Sequence, residues 1–199
     1  MNSALLVSNI VLWILVAGLA LIVLALARQV GILHERIAPA GALMVSGGPK
    51  VGEQAPVLEV TDISGQDLSI GNARDDARST LVFFLSPTCP VCKTLLPVLK
   101  SSQKSERDWL DVMFASDGDV ATQQAFIDEY DLGGFIYVLS TNLGMTYQVG
   151  KLPFAVLIDH DGVIRAKGLV NSREHLESLF EAKERGVASV QEYVAGNSQ

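Results

Sequence analysis

The pattern of apolar and polar positions changes sharply along the chain, and its first part is uniformly apolar. Residues 5–27 carry no charged side chain and are interrupted mainly by Ser8, Asn9 and Gly18. A helix of this segment, at about 1.5 Å per residue, is roughly 34 Å long and can cross a hydrocarbon core of about 30 Å. The pattern therefore predicts a single N-terminal transmembrane helix within residues 1–27.

A cleavable signal peptide is the alternative interpretation, since the sequence Ala25-Leu26-Ala27 resembles a cleavage site. No Lys or Arg precedes the apolar run, however, and the run exceeds the usual length of about 7–15 residues, so an uncleaved anchor is favoured. Arg28 and Arg36 follow the segment. The positive-inside rule taken alone would therefore leave the rest of the chain in the cytoplasm.

Glycine and proline residues interrupt residues 28–50, which are predicted to form a juxtamembrane linker. From residue 51 onward, short apolar stretches typical of strands alternate with amphipathic helical stretches. The predicted strands are residues 57–60, 67–70, 81–85, 111–116, 135–139, 154–158 and 163–167. The predicted helices are residues 89–102, 119–130 and 172–186, with 142–149 a weak helix or loop and 71–80 a solvated polar loop.

This order of elements predicts an α/β domain of three layers with a mixed central sheet, spanning residues 51–186. Residues 187–199 are predicted to be a C-terminal tail. The length of 199 residues is enough for one such domain with a sizeable core and an additional segment.

The charge balance excludes one class of function. The formal net charge is −7, and the sequence contains neither a basic stripe nor an aromatic platform on which bases could stack. Nucleic-acid binding is therefore not expected.

The two cysteines of the sequence, Cys89 and Cys92, stand where the apolar run 81–85 meets a predicted helix. A cysteine at a helix N-terminus faces unpaired N–H groups and the positive end of the helix dipole, which lower the thiol pKa below its ordinary value of about 8.5. Pro90 falls at the first helical position, where a helix accepts proline. The pattern predicts Cys89 as the nucleophile and Cys92, one turn further on, as the resolving thiol.

Metal binding is the main alternative for a C-x-x-C pair. A four-ligand zinc site needs two further ligands, and His34, His160 and His175 share no ligand spacing. A thiol–disulfide redox site is therefore favoured, with no metal and no cofactor other than the Cys89–Cys92 disulfide itself. A peroxidase is not expected, because neither cysteine follows a Pro-x-x-x-Thr/Ser-x-x pattern.

These residues resemble the active site of the thioredoxin superfamily. Pro97, within the predicted helix, matches the proline that kinks the first helix of thioredoxins, and Leu152-Pro153 matches the family's cis-proline. An X-Pro bond is the one that readily adopts the cis form. The resemblance implies that Leu152 and Pro153 bind the substrate backbone beside the disulfide, and that Pro90 and Val91 also contact substrate.

One position departs from thioredoxin. Phe83 stands where thioredoxin has a buried aspartate that accepts the proton of the second cysteine. Cys92 must therefore lose its proton to water or to another group. The reducing role of thioredoxin does not follow directly for this chain.

Nearly the whole chain is also similar to a narrower family, the MauD proteins of methylamine utilisation. The similarity rests on the apolar span, on the string of residues 28–43 and on residues 86–93. It implies a membrane-anchored thiol–disulfide oxidoreductase or isomerase that assists disulfide formation and maturation of the methylamine dehydrogenase small subunit. It further implies an inner-membrane protein whose soluble domain lies in the periplasm, where disulfides persist, with a membrane redox partner as a further candidate.

Three alternatives stay open at this level. The first is a thiol reductase of the cytochrome c maturation type, and the second is a tethered chaperone that only grips its client. The third is a metal carrier that uses the two thiolates. The sequence also leaves open whether the redox pair oxidises, reduces or isomerises its client, because these roles depend on the redox potential.

Overall fold

The computed structural model describes residues 2–36 and 47–185. Its first element is one helix, α1 (Asn2–Arg36), and its second part is an α/β domain. Residues 37–46 of the predicted linker and the predicted tail, residues 187–199, lie outside the described residues.

Apolar side chains dominate α1 and are exposed where they are described. Trp13, Leu15 and Leu21, for example, are each about two thirds exposed. The helix extends to Arg36, into the segment predicted as a linker, and Gly31 does not end it, because one glycine costs a helix only about 1 kcal/mol. Among the residues whose side chains are described, no helix combines the length and the apolar character needed to cross a membrane.

Within residues 47–185, the domain consists of a hairpin, a five-stranded sheet and four helices. The hairpin is formed by β1 (Leu58–Thr61) and β2 (Asp67–Ile70). The strands of the central sheet are β3 (Ser79–Phe84), β4 (Leu110–Ser116), β5 (Ile136–Leu139), β6 (Phe154–Ile158) and β7 (Ile164–Leu169). The helices are α2 (Pro90–Ser105), α3 (Val120–Glu129), α4 (Thr141–Thr146) and α5 (Arg173–Arg185).

The central sheet has the order β5-β4-β3-β6-β7. The strands β3, β4 and β5 run parallel to one another, whereas β6 is antiparallel to both β3 and β7. The prediction of an α/β fold with a mixed sheet is therefore confirmed.

The central strand β3 explains why both faces of the sheet are covered. It is apolar without alternation, as expected for a strand buried on both faces. Leu81 and Phe83 face a core formed with α2, α3 and α5, whereas Val82 and Phe84 face a second core formed with the hairpin and α4. All four side chains are buried.

Residues 71–80 differ from the solvated loop predicted from the sequence. The last two residues of this segment begin β3, and Arg74 and Arg78 reach Asp111 near the start of β4. Arg74 Nη2 lies 2.8 Å, and Arg78 Nε 2.9 Å, from Oδ2 of Asp111. The hydrogen bond from Arg78 lowers the pKa of Asp111. Arg74 also donates from Nε to Asp76 Oδ1 at 2.9 Å, and this hydrogen bond lowers the pKa of Asp76 to about 2. The segment is therefore tied to the sheet by charge.

The sequence leaves open whether residues 142–149 form a helix or a loop. A short helix, α4, forms there because Ser140 caps it, its hydroxyl accepting a hydrogen bond from Leu143 N–H at 3.1 Å. Leu143 is fully buried and holds the helix against the sheet.

Candidate active site

The candidate redox site lies at the end of the sheet where β3 finishes and β6 begins. Phe84, the last residue of β3, pairs with Phe154, the first residue of β6. Because the two strands are antiparallel, the turn that follows β3 and the residue that precedes β6 leave the sheet at the same end. The fold therefore brings the turn with Cys89 and Cys92 to the same end of the sheet as Pro153.

Hydrogen bonds fix the turn between β3 and α2. The Cys89 N–H donates to Ser86 O at 3.0 Å, and the Thr88 N–H donates to Ser86 Oγ at 3.3 Å. The hydroxyl oxygens of Ser86 and Thr88 lie 2.9 Å apart. The turn ends with Cys89 in extended backbone (φ −86°, ψ 109°), the usual conformation of a helix N-cap.

The two cysteines form a disulfide at the start of α2, with their Cα atoms 5.3 Å apart. Cys89 is the N-cap and is partly exposed, and its Sγ accepts a hydrogen bond from the Cys92 N–H at 3.2 Å. Cys92 is fully buried, and Pro90 occupies the first helical position. An attacking sulfur can therefore reach Cys89 but not Cys92, which fits the predicted roles of nucleophile and resolving thiol.

Phe83 fills the place of the acid that thioredoxin carries behind its second cysteine. Its ring is fully buried and meets the edge of Phe114, with ring centroids 6.2 Å apart. Cys92 belongs to the same apolar cluster. The side chain at position 83 is therefore apolar and offers Cys92 no proton acceptor.

The predicted substrate-binding residues lie on α2 next to Cys89 or at the same end of the sheet as the disulfide. The Leu152–Pro153 peptide bond is cis, and buried Pro153 accepts a hydrogen bond on its carbonyl from Val170 N–H at 3.1 Å. Leu152 is 40% exposed and Val91 38%, and Pro90 is exposed as well. The end of the sheet that carries the partly exposed Cys89 thus also carries exposed apolar groups, while their role in substrate binding stays a prediction.

A groove of about 530 Å³ opens next to Leu152. It is lined by the ends of β3 and β4, by α4 and by the loop of residues 148–152, and its most exposed large apolar side chain is Met145, at 65%. The charged residues Asp117 and Lys151 also line it. Sequence reasoning missed this groove, because a methionine in a short apolar stretch gives no signal of whether it is buried or exposed.

Within the described residues, one cluster has three side chains close enough to one another to share a metal ion, namely Asp159, His160 and Asp161. Its buried member, Asp159, is already engaged. Its carboxylate accepts hydrogen bonds from the N–H groups of Asp161 at 3.0 Å and Val163 at 2.9 Å, and pairs with Arg165. These contacts explain Asp159 as the residue that shapes the turn between β6 and β7.

The sequence profile of the Redoxin family matches residues 50–183 of this chain. The matched residues include the whole redox site and cover more than half of the chain. The chain therefore belongs to the Redoxin family.

Relatives of known name are similar over almost the entire length. The chain is 46% identical over 199 residues to the methylamine utilization protein MauD of Paracoccus denitrificans, covering 100% of this chain and 98% of that protein. It is 47% identical over 190 residues to MauD of Methylorubrum extorquens, covering 96% of this chain and 92% of that protein. A more distant relative is the thiol-disulfide oxidoreductase ResA of Bacillus cereus, with 26% identity over 137 residues, covering 66% of this chain and 78% of that protein.

Solved structures support the fold. The thioredoxin domain of a thiol-disulfide oxidoreductase from Bacteroides vulgatus matches with a TM-score of 0.57 and 21% identity, covering 70% of this chain and 99% of that domain. StoA from Bacillus subtilis matches with a TM-score of 0.52 and 24% identity, covering 66% of this chain and 99% of that structure. The domain thus has the thioredoxin-like fold, and the chain belongs, within the Redoxin family, to the MauD proteins.

Proposed function

We propose that the chain is a thiol–disulfide oxidoreductase of methylamine utilisation that exchanges disulfides with a client protein through Cys89 and Cys92. The observation that carries this proposal is the disulfide at the N-terminus of α2. Cys89 is partly exposed, and the disulfide lies at the same end of the sheet as the Leu152–Pro153 turn. The similarity to MauD proteins over the whole chain supports the pathway.

The exchange proceeds in two balanced steps. A client thiolate attacks Sγ of Cys89, the Cys89–Cys92 bond breaks, and its electron pair stays on the sulfur of Cys92, which takes up a proton. A second client thiolate then attacks the client sulfur of the mixed disulfide, and Cys89 leaves as a thiolate at the helix N-terminus. The client loses two electrons and this chain gains them, so no bound cofactor is required.

The same residues can also isomerise disulfides. With the pair reduced, the Cys89 thiolate attacks a non-native disulfide in the client and is released when the client's cysteines pair again, with no net transfer of electrons. As an oxidant, the chain must instead pass its two electrons to a membrane redox partner. We keep oxidation and isomerisation together in the proposal because they share the first mixed disulfide.

The location and the client form the finer part of the proposal. We place residues 5–27 in the inner membrane as an anchor, because they carry no charge and the side chains described there are exposed. Several side chains of this segment lie outside the described residues. The domain then lies in the periplasm, where disulfides persist, and the client is the small subunit of methylamine dehydrogenase.

Trapping tests this proposal. In the Cys92→Ser variant the Cys89 thiolate attacks a client disulfide, and Cys92 can no longer cleave the mixed disulfide, so a client without another free thiol in reach stays attached to Cys89 and can be identified by mass spectrometry from cells grown on methylamine. We expect the methylamine dehydrogenase small subunit. The double variant Cys89→Ser/Cys92→Ser is the matched control and should carry nothing.

Two outcomes would count against the proposal. Attachment of other periplasmic proteins alone, such as an apocytochrome, would replace the proposed client and would favour a reductase. The absence of any adduct on Cys89 would contradict thiol exchange itself and would favour a non-catalytic chaperone or a metal carrier.

A further inference from the structure

The first described residues of the domain, 47–53, run beside β7. The Gly52 N–H donates to Ile164 O at 2.8 Å, and the Ile164 N–H donates back to Glu53 O at 3.0 Å. Lys167, within β7, donates from Nζ to the carbonyl oxygen of Gly47 at 2.6 Å. These contacts fix the path by which the chain enters the domain.

Lys167 is unusual for a lysine because it is buried, with only 7% of its surface exposed. Burial lowers its pKa, and the charge of Glu53 opposes that effect. A buried ammonium group needs an acceptor, because leaving it without one costs free energy. The Gly47 carbonyl is such an acceptor, and it ties residue 47 to the sheet.

The same segment presses against the chain that leaves α4. A Cβ atom on Gly47 would lie 2.8 Å from Gln148 Oε1, and one on Gly48 would lie 2.9 Å from the Tyr147 carbonyl carbon and closer still to its oxygen. Gly48 also has a positive φ of +73°, which favours glycine. Position 48 therefore accepts no side chain without a shift of the Tyr147 backbone.

The chain beyond Tyr147 leads directly to the redox site. Gln148 has a positive φ of 51°, and the Val149 N–H donates to Gly144 O in α4 at 2.9 Å. Residues 148–152 then line the groove and end at Leu152, immediately before Pro153. This loop is held by α4 on one side and touched by Gly47 and Gly48 on the other.

We propose that Gly48 and Lys167 are positioning residues for client binding. They fix the loop of residues 148–152 and thereby the place of Leu152 at the end of the sheet that carries the disulfide. The inference rests on the proposed function, because it assumes that a client binds along this loop. It adds that the point where the N-terminal part of the chain joins the domain also shapes the client site.

The test compares two glycine variants of the full chain in mild detergent. Gly48→Ala introduces a side chain at positive φ and pushes on Tyr147. Gly65→Ala introduces one at a similar φ of +89°, in the turn between β1 and β2, where nothing lies within 4 Å. Both variants carry backbone strain, but only the first displaces the loop.

The oxidised proteins are reacted in single turnover with increasing concentrations of a peptide that contains two reduced cysteines and, separately, of dithiothreitol, and KM denotes the reagent concentration that gives half of the maximal rate. Dithiothreitol reaches Cys89 without using the groove. We expect Gly48→Ala to raise the KM for the peptide about tenfold, because small misplacements of binding groups cost such factors, while its rate with dithiothreitol stays unchanged. Gly65→Ala should match the wild type with both reagents.

A second variant keeps the test decisive if Gly48→Ala does not fold. Lys167→Met retains the long side chain but loses the donor, and should raise the KM for the peptide in the same way, while Lys167→Arg should restore most of the binding. A wild-type KM for the peptide in folded Lys167→Met or Gly48→Ala would overturn the inference, as would equal slowing with both reagents. A wild-type protein that fails to react with the peptide would instead overturn the proposed function.

Discussion

The two ends of the paired strands β3 and β4 are built from different chemistry. At the end where the strands begin, Arg74 and Arg78 converge on Asp111, which pairs with Thr80 across the ladder. At the end where the strands finish, the Leu85 N–H donates to Ala115 O at 3.0 Å and Ser116 donates its hydroxyl to Leu85 O at 3.1 Å. Ion pairs therefore stabilise one end, whereas hydrogen bonds of backbone and hydroxyl groups stabilise the end that carries the disulfide.

This difference separates stability from reactivity. Within the described residues, no ion pair involves the cysteine turn 86–92 or the loop 148–152. The positive end of α2 therefore acts on Cys89 without an ion pair within the turn. Changes at the charged end should alter the free energy of unfolding, whereas changes at the redox end should alter disulfide exchange, and each can be tested without the other.

The largest expected effect is at the redox end. Cys89→Ser should abolish exchange with a dithiol peptide while preserving α2, because serine is a preferred N-cap residue. The measurement is the rate of peptide oxidation, with far-ultraviolet circular dichroism as the check on folding. Cys92→Ser, which also lacks the disulfide, is the control, and its Cys89 thiolate should still form a mixed disulfide with the oxidised, disulfide-bonded form of the peptide. Residual turnover in Cys89→Ser would assign the chemistry to another group.

The next effect is at the charged end. Asp111→Asn should lower the free energy of unfolding by about 1 to 2 kcal/mol, a modest value because the Asp111 side chain is 28% exposed. The measurement is denaturant unfolding of the reduced and oxidised protein. The rate of disulfide exchange should stay at the wild-type value. A loss of exchange rate in a folded Asp111→Asn variant would show that the two ends are coupled.

Acid should remove the same contribution. The arginines lower the pKa of Asp111 in the folded chain, so its carboxylate stabilises the fold fully at pH values above the unfolded pKa of about 3.9. That contribution is lost as the pH falls through the lower, folded pKa. The difference in unfolding free energy between wild type and Asp111→Asn should therefore be constant above about pH 5 and shrink below about pH 4. A difference that persists unchanged to pH 2 would assign it to packing.

The smallest effects come from two buried tyrosines. Burial raises the pKa of both Tyr137 and Tyr147 to about 12, and the Tyr137 hydroxyl donates a hydrogen bond to Gln123 Oε1 at 2.6 Å. In the part of the chain that the structure describes, the Tyr147 hydroxyl has none. Tyr137→Phe should therefore cost about 1 kcal/mol, whereas Tyr147→Phe should be neutral or stabilising. Equal losses in denaturant unfolding would contradict this difference.

The sequence predicts those parts of the fold that depend on local pattern. The apolar runs that became β3 and β6 and the proline after Cys89 each point to their structure through nearest neighbours. The α/β class follows from the order of these elements. The Leu152-Pro153 turn was found through resemblance rather than through its local pattern.

The remaining features depend on partners far away in the sequence. Arg74 looks like a loop residue until Asp111, 37 positions later, accepts its hydrogen bond. The contact between Lys167 and Gly47 spans 120 positions. The groove likewise has no local pattern, because it is the space left between α4, two strand ends and one loop.

The central claim is that Cys89 at the N-cap reacts and that buried Cys92 resolves. It is tested most directly by reducing the full chain, adding iodoacetamide at neutral pH and following each cysteine by mass spectrometry. We expect Cys89 to be alkylated at least about tenfold faster than Cys92, because it combines exposure with the field of the helix N-terminus. Equal rates, or faster alkylation of Cys92, would contradict the assignment of the two cysteines.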